Sequence, residues 1–158
     1  MKMKLDGILS FRKVVEADRE LLLIWANEAE TRKQSFQTHE IMPQEHDQWF
    51  QHVLGDEMSR ILILCLRGKP IGNMRFSISA TSAMISYNID YMYRGFGFGK
   101  ELIKMAIDYA RENLDVSFLQ AETKQDNVAS QKVLLKNGFL PMQTLPNQGV
   151  IVFLKTLQ

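Results

Sequence analysis

Residues 94–100 read Arg-Gly-Phe-Gly-Phe-Gly-Lys, and this stretch decides how the rest of the sequence is interpreted. An alternating strand pattern precedes it, and an amphipathic helix pattern follows it. Glycine permits backbone conformations that are closed to other residues and lets amide N–H groups approach a ligand closely. A helix that begins here adds its unpaired N–H groups and the positive end of its dipole. The stretch therefore predicts a binding site for an anion, most naturally a phosphate or a pyrophosphate.

Two common phosphate-binding patterns do not fit this glycine-rich loop. A Walker loop requires a glycine, four further residues and then Gly-Lys-Ser/Thr. Here Arg94 stands where the first glycine belongs, and Glu101 stands where the hydroxyl residue belongs. The dinucleotide fingerprint requires a third glycine three positions after the second, and this chain has Lys100 there. A glycine-rich turn that binds no ligand stays open as an alternative.

Hydrophobic periodicity predicts an ordered succession of strands and helices. The predicted strands are residues 8–15, 60–66, 71–79, 83–91, 116–122, 139–145 and 150–157, with turns at 67–70, 81–82 and 146–149. The predicted helices are residues 18–30 with Asp18 as the cap, 43–54, the glycine-rich loop to 113, and 126–137 closed by Gly138. This order predicts an α/β fold with a mixed sheet, antiparallel in its central section, and helices on both faces.

Length and composition describe an ordinary globular chain. The 158 residues are 46% apolar and 23% charged, which suits one domain, residues 1–158, with a sizeable core. A formal net charge of +1 argues against nucleic-acid or membrane partners, which usually require a basic excess. The single cysteine, Cys65, excludes a disulfide framework and a multi-cysteine zinc site, so no metal is expected. Because no apolar run approaches about 18 residues and no leader is visible, we expect a cytoplasmic protein. A homodimer stays open.

Two motifs carry a resemblance to a known family. Arg94-x-x-Gly97-x-Gly99 matches the Gln/Arg-x-x-Gly-x-Gly/Ala signature with which GNAT acetyltransferases hold the acetyl-CoA pyrophosphate. About thirty residues further on, Asn127-x-x-Ser130-x-x-Val133-x-x-Lys136-x-Gly138-Phe139 resembles the second signature of the family, which typically ends in Lys-x-Gly-Phe. The predicted element order resembles the GNAT fold over nearly the whole chain. The resemblance implies direct transfer of acetyl from acetyl-CoA to an amine.

The resemblance also implies how acetyl-CoA is bound as the cosubstrate. Backbone amides of the loop would hold the pyrophosphate, and the strand edge at residues 87–89 would pair with the pantetheine amides. Asn127 would bind the pantetheine arm, a role that is compatible with a helix cap. Lys136 would reach the nucleotide end or remain a solvated charge. The implied donor-binding residues are Ile89, Arg94, Gly95, Phe96, Gly97, Phe98, Gly99, Lys100, Asn127, Ser130 and Lys136.

Direct transfer requires a base for the amine and benefits from an acid for the thiolate. Glu122, at the predicted end of its strand, matches a catalytic glutamate of family members that acetylate protein N-termini, and it is the candidate base. Asp90 is a weaker candidate, because its position favours a turn. The usual general acid of the family is a tyrosine at the position where this chain has Leu134. A thiol with a pKa near ~8.5 leaves without much assistance, and Tyr87, Tyr91 or water can replace the missing acid.

The amine that accepts the acetyl group is expected to bind to residues 25–50. The patterns Trp-x-Asn, Arg-x-x-Ser-Phe and Glu-His-x-x-Trp-Phe resemble amino-sugar N-acetyltransferases of the pseudaminic-acid pathway, which act on nucleotide-linked sugars. Arginine suits a diphosphate, an aromatic ring suits a base or sugar face, and histidine suits a hydroxyl. The implied acceptor-binding residues are Arg32, Ser35, Phe36, His46 and Trp49. Trp25, His46, Trp49 and Phe50 are equally compatible with a packed core.

Two other functions stay open at this point. One is acetylation of a protein N-terminus or lysine, as in ribosomal-protein acetyltransferases. The other is a non-catalytic acyl-CoA-binding domain, which the loss of the usual tyrosine allows. Protein substrates often require an acidic groove for cationic peptides, whereas Arg32 and Lys33 lie among aromatic residues here. We therefore predict a small-molecule amine carried by a nucleotide-linked amino sugar.

Overall fold

The structure is a computed structural model that describes residues 8–145 and 149–157. Its strands are β1 (Leu9–Lys13), β2 (Ser59–Leu66), β3 (Lys69–Ser79), β4 (Ser82–Ile89), β5 (Phe118–Lys124), β6 (Leu140–Leu145) and β7 (Val150–Thr156). Its helices are α1 (Arg19–Ala26), α2 (Ala29–Gln34), α3 (Pro43–Leu54), α4 (Phe98–Asn113) and α5 (Val128–Lys136). Short 3₁₀ turns span Glu16–Asp18 and Tyr91–Tyr93.

The strands form one sheet in the order β1-β2-β3-β4-β5-β7-β6. All neighbours are antiparallel except β4 and β5, which are parallel. Those two strands pair only over residues 82–84 and 118–120. Beyond Met84, the β4 edge that faces β5 pairs with no strand in the described part of the chain. The α/β class and the mixed, mostly antiparallel sheet are therefore confirmed.

Helices cover both faces of the sheet, as predicted. On one face, α4 buries an apolar stripe at helical spacing, formed by Leu102, Ile103, Ala106, Ile107 and Ala110. On the other face, α1 and α3 pack Leu22, Trp25, Phe50 and Val53 against Ile61, Ile63 and Cys65 of β2. Each large apolar side chain that is buried in this way contributes roughly 1.5–3 kcal/mol to folding. The helices α1 and α3 of the N-terminal segment therefore lie on the sheet face opposite α4.

The predicted helix over residues 18–30 is wrong in its last turn. The chain leaves the helix at Asn27, whose side chain donates to the carbonyl of Ile41 and accepts from its amide, each at 2.8 Å. Glu28 then starts α2, because its carboxylate accepts a hydrogen bond from the Glu30 amide. Periodicity did not reveal the break, since the break depends on a contact with a residue fourteen positions away.

Three other local predictions differ from the structure or lie outside it. Asp18 does not cap α1 with its side chain, because that carboxylate accepts two 2.7 Å hydrogen bonds from Arg12. The strand predicted to end at residue 91 ends at Ile89, where Asp90 caps a 3₁₀ turn. Of the predicted turn at 146–149, residues 146–148 lie outside the described residues. Within residues 8–145 and 149–157, the helices are all too short or too polar to cross a bilayer.

Candidate active site

The glycine-rich loop leads directly into α4, which begins at Phe98 inside the predicted motif. Gly95 and Gly97 have φ angles of +85° and +86°, the left-handed region that other residues enter only with strain. A Cβ atom added to either glycine would meet no atom within 4 Å. Backbone conformation therefore requires these glycines, and the space in front of them is open. The loop has the geometry of an anion cradle at a helix N-terminus.

A cavity of about 750 Å³ extends from this loop along the sheet. One end is lined by Gly95, Gly97, Gly99 and Lys100. Its side is lined by residues 85–89 of the β4 edge that has no strand partner, and by the first turns of α5. Unpaired strand edges present amide and carbonyl groups to an extended ligand. The cavity suits an elongated molecule with phosphates at the loop and amides along β4.

Arg94 lies at the loop entrance, as predicted, but its guanidinium contacts the protein itself. It pairs with the Glu28 carboxylate at 2.9 Å and donates to the Ile89 carbonyl at 2.9 Å. It also donates to the Thr31 hydroxyl at 3.2 Å. Arg94 therefore joins α2 to the end of β4 and fixes the wall of the cavity.

Two hydroxyl groups, one from Ser130 in the first turn of α5 and one from Tyr87 of β4, meet at the cavity. Asn127 caps α5, because its side-chain oxygen accepts a hydrogen bond from the Ser130 amide at 3.3 Å. The Ser130 hydroxyl is hydrogen-bonded to the Tyr87 hydroxyl. Burial raises the pKa of Tyr87 to about 12, against the smaller opposing effect of that hydrogen bond. Tyr87 is therefore protonated at neutral pH and able to donate a proton.

The position of the missing family tyrosine holds an apolar side chain. Leu134 is fully buried and lines the cavity next to the α5 turn that carries Ser130. Of the candidates for the replacement acid, Tyr91 is 68% exposed and lines neither of the two cavities described here. Tyr87 lines both of them. Among these tyrosines, only Tyr87 is placed to act on a molecule in the cavity.

The two candidate bases are placed differently. Glu122 is exposed and lines the cavity where β4 and β5 separate. Asp90 accepts hydrogen bonds from the Trp25 indole at 2.8 Å and from the Met92 amide at 2.9 Å. Asp90 thus has the turn role that its sequence position favoured, and Trp25, only 4% exposed, belongs to the core. Glu122 is the better placed of the two carboxylates.

A second cavity of about 330 Å³ adjoins the first beneath α2. It lies between α1 and α3 on one side and the paired strands β3 and β4 on the other. The two cavities share several lining residues, namely Thr31, Arg32, Ser35, Ile41, Glu45, Arg75, Ser86, Tyr87 and Asn88. A molecule in the second cavity can therefore reach a group that is held in the first.

Arg32 and Ser35 line both cavities, but they also brace the chain after α2. The Arg32 guanidinium donates to the Ala26 carbonyl at 2.6 Å, the Gln37 carbonyl at 2.9 Å and the Ser35 hydroxyl at 3.1 Å. These bonds engage all three of its nitrogens. Phe36 is 55% exposed and lines only the first cavity. The structure therefore gives Arg32 a positioning role that sequence reasoning did not foresee.

His46 and Trp49 lie one helical turn apart in α3 and line the second cavity. Their rings lie 5.3 Å apart, and Phe50 stacks on His46 at 6.2 Å. His46 is only 3% exposed, yet neither ring nitrogen has a hydrogen-bond partner within residues 8–145 and 149–157. Burial lowers the pKa of His46, so the neutral ring beside this cavity has one donor and one acceptor nitrogen, both shielded from solvent.

Sequence reasoning missed the polar residues of β3 and β4 that line the second cavity. Asn73 donates to the side-chain oxygen of Asn88 at 2.7 Å, and Arg75 lies opposite Ser86 in the ladder. Strand alternation places these side chains opposite Met74, on the face that α1 and α3 cover. Asn73 and Arg75 are polar residues at alternate positions of a covered strand face. This pattern in the sequence indicates a pocket within the core.

Two of the predicted donor-binding side chains lie outside both cavities. Phe96 is 70% exposed, and Lys136 is in the last turn of α5. In the described ranges, no group of three or more metal-ligating side chains is clustered closely enough to hold a metal ion.

Comparison with known protein families decides what kind of domain this is. The sequence model of the acetyltransferase (GNAT) domain matches residues 9–140, most of the chain. The chain belongs to the GNAT acetyltransferase family. The resemblance inferred from the two motifs is thereby confirmed, and this GNAT protein is an enzyme, an acyltransferase of the N-acetyltransferase type. A search of curated protein sequences found no match.

Solved structures share the fold of this GNAT chain at low sequence identity. Spermidine N-acetyltransferase from Vibrio cholerae, with CoA and spermine, has a TM-score of 0.87 and 17% identity, covering 96% of each chain. Ribosomal L7/L12 α-N-protein acetyltransferase with CoA has a TM-score of 0.81 and 18% identity, covering 98% of this chain and 97% of its own. Aminoglycoside acetyltransferase AAC(6′)-Ib with CoA has a TM-score of 0.79 and 19% identity, covering 94% of each. At these identities the similarity establishes the GNAT fold alone.

Proposed function

We propose that this GNAT enzyme transfers acetyl from acetyl-CoA to the primary amine of a nucleotide-linked amino sugar. The observation that carries the proposal is the pair of adjoining cavities with different linings. The first has a phosphate cradle and an unpaired strand edge, the second has the indole of Trp49 and the imidazole of His46, and Arg32 and Arg75 line both. The donor would occupy the first cavity and the acceptor the second.

The first cavity fits CoA in shape and in chemistry. The left-handed glycines leave open space where a pyrophosphate would lie against the N-terminus of α4. The unpaired edge of β4 offers hydrogen-bonding groups at the spacing of an added strand, which suits the two amides of pantetheine. The thioester would then lie near the point where β4 and β5 separate, close to Tyr87 and Glu122.

The proposed reaction requires the acceptor nitrogen to lose two protons and the leaving sulfur to gain one. Glu122 accepts a proton from the acceptor ammonium, directly or through water, because only the free amine can attack. The amine nitrogen forms a bond to the thioester carbonyl carbon and passes its second proton to solvent, and the carbon–sulfur bond breaks. The Tyr87 hydroxyl donates a proton to the leaving thiolate and is reprotonated from solvent. An acceptor amine with a pKa near ~8 requires less assistance from the base than a lysine with a pKa near ~10.4.

The lining of the second cavity supports a polar acceptor that carries negative charge. Trp49 offers a flat apolar surface for a sugar or base, and the buried, unpaired ring nitrogens of His46 lie beside it. Arg75 adds a positive charge that has no carboxylate partner within residues 8–145 and 149–157. The ionised lining of this cavity has Arg32 and Arg75 against one carboxylate, Glu45, so it attracts a nucleotide diphosphate more than a polycationic amine.

A panel of amines tests this proposal. Acetyl-CoA is incubated with the wild-type protein and a UDP-linked amino sugar, the free amino sugar, spermidine, an aminoglycoside or an N-terminal peptide, and free thiol is measured. We expect the nucleotide-linked sugar to give the fastest release above the background hydrolysis rate. Release with the peptide alone would assign the enzyme to protein acetylation. Tight CoA binding without release for any amine would indicate an acyl-CoA-binding domain.

A further inference from the structure

Arg75 is a partly buried charge whose surroundings do not explain it. Its Nε atom is shielded from solvent and has no hydrogen-bond partner in the part of the chain that the structure describes. No carboxylate among those residues lies within 4.0 Å of its guanidinium. Burial lowers its pKa, although an arginine still remains charged. A desolvated cation without a counter-ion destabilises a fold, so a ligand that supplies the missing charge gains binding energy here.

The guanidinium is nevertheless held in one place. Its Cζ atom lies 5.4 Å from the centre of the Trp49 ring, close enough for a cation–π interaction. Trp49 is in turn fixed by its contacts with His46 and Phe50 on the same helix. The guanidinium carbon thus lies over the indole ring, and no acceptor among the described residues is hydrogen-bonded to its Nε atom. Planar N–H donors of this kind match the oxygens of a phosphate.

Arg75 lies on the same face of the sheet as the candidate base Glu122. Arg75 is paired with Ser86 across β3 and β4, so both side chains lie on the same sheet face. The parallel pairing of Met84 with Gln120 places Ser86 and Glu122 on that face as well, two residues further along each strand. Arg75 is therefore two strand spacings from Glu122, about 10 Å or more because β4 and β5 diverge there. An acceptor that spans this distance has its amine at one end and its anion at the other.

We propose that Arg75, seated on Trp49, binds phosphate oxygens of the acceptor and selects acceptors that carry a phosphate or diphosphate. This inference rests on the proposed acetyl transfer and makes it more specific. It assigns to Arg75 the contact that the sequence suggested for Arg32, whose nitrogens are engaged with the chain after α2. His46, whose ring nitrogens have no partner among the described residues, lines the second cavity together with Arg75.

Calorimetry with the CoA-saturated protein tests the inference without requiring turnover. CoA fills the loop first, so that a phosphate probe reports on the second cavity. Inorganic pyrophosphate and UDP-glucose are titrated into wild type, Arg75→Gln and the control Arg111→Gln. Arg111 has the same charge but lies on the outer face of α4, 3.8 Å from Asp108. We expect Arg75→Gln to weaken UDP-glucose binding roughly 10- to 100-fold, and Arg111→Gln to leave it unchanged.

A second variant separates recognition from a structural role. Arg75→Met keeps an unbranched apolar stem and removes the unpaired charge, so we expect an unchanged or higher Tm together with weakened UDP-glucose binding. A lower Tm with wild-type binding would overturn the inference, as would the absence of probe binding to wild type. If no amine is acetylated but probe binding depends on Arg75, the proposed reaction fails and the phosphate site stands. If acetyl transfer proceeds with equal KM for a nucleotide-linked acceptor in Arg75→Gln, the reaction stands and the phosphate site fails.

Discussion

Replacing Gly97 by alanine should separate the folding role of the loop glycines from their ligand-binding role. Gly97 has a φ of +86°, and Gly68 in the turn between β2 and β3 has a φ of +83°. A Cβ atom at either position would meet no atom within 4 Å. Both alanine variants should therefore lose about 1–2 kcal/mol of stability from left-handed strain alone. For a domain of this size that corresponds to a decrease in Tm of about 2–8 °C.

The two variants should differ in CoA affinity. At Gly97 the new methyl group enters the open space where the pyrophosphate would lie, and relief of strain would turn the loop amides away. The loss of one charge-assisted hydrogen bond weakens binding by roughly 10- to 100-fold. Gly68 lines neither cavity, so Gly68→Ala should bind CoA as wild type does. Differential scanning fluorimetry and calorimetric titration with CoA measure both quantities. Wild-type CoA affinity in a folded Gly97→Ala protein would refute the assignment of the loop.

Three further substitutions test the proposed chemistry and the buried histidine. Glu122→Gln should lower kcat by about 10²–10⁴-fold, and the loss should be largest at low pH, where the amine is protonated. The affinity for acetyl-CoA should not change. Unaltered rates from pH 6 to 9 would exclude Glu122 as the base. Tyr87→Phe should lower kcat by roughly 10²-fold, and the wild-type rate should not fall through tyrosine ionisation near pH 10, because the pKa of Tyr87 is about 12. His46 has its pKa lowered by burial and by Arg19, against the effect of Asp47, so its contribution to stability is present above pH ~6.5 and is lost as the pH falls. The decrease in Tm from pH 7.5 to 5.5 should therefore be smaller in His46→Gln, and an equal decrease would contradict this.

Local patterns in the sequence predicted most of the fold. The continuous apolar run of β2, the alternation of β3 and the helical stripe of α4 depend on residues that are close together in the chain, so the type of each element was readable from the sequence. The break between α1 and α2 was not, because Asn27 leaves the helix to bond with the distant Ile41. Such details depend on contacts between segments that are distant in the chain, and the local pattern of a single sequence does not reveal those contacts.

The loop and the α5 cap were also predictable, because their chemistry is local to each motif. Helix-terminus rules predicted a helix after the glycine-rich loop and another capped by Asp126 or Asn127, and the structure has Gly97 and Asn127 at these two starts. Arg75 was missed because its significance lies in the absence of a partner after the sheet has formed. Arg32 carried the stronger motif, yet tertiary contacts engage its donors. Charge type is visible in a sequence, whereas the pairing of a charge is decided by the fold.

The most direct test of the proposed function is a comparison of kcat/KM for a nucleotide-linked amino sugar and for the same amino sugar without its nucleotide. Both are assayed with wild-type enzyme at saturating acetyl-CoA, and the acetylated product is quantified by mass spectrometry. If the donor occupies the first cavity and an anionic acceptor the second, the nucleotide-linked sugar should be preferred at least tenfold. Equal or lower kcat/KM for the nucleotide-linked sugar would contradict the assignment of the second cavity.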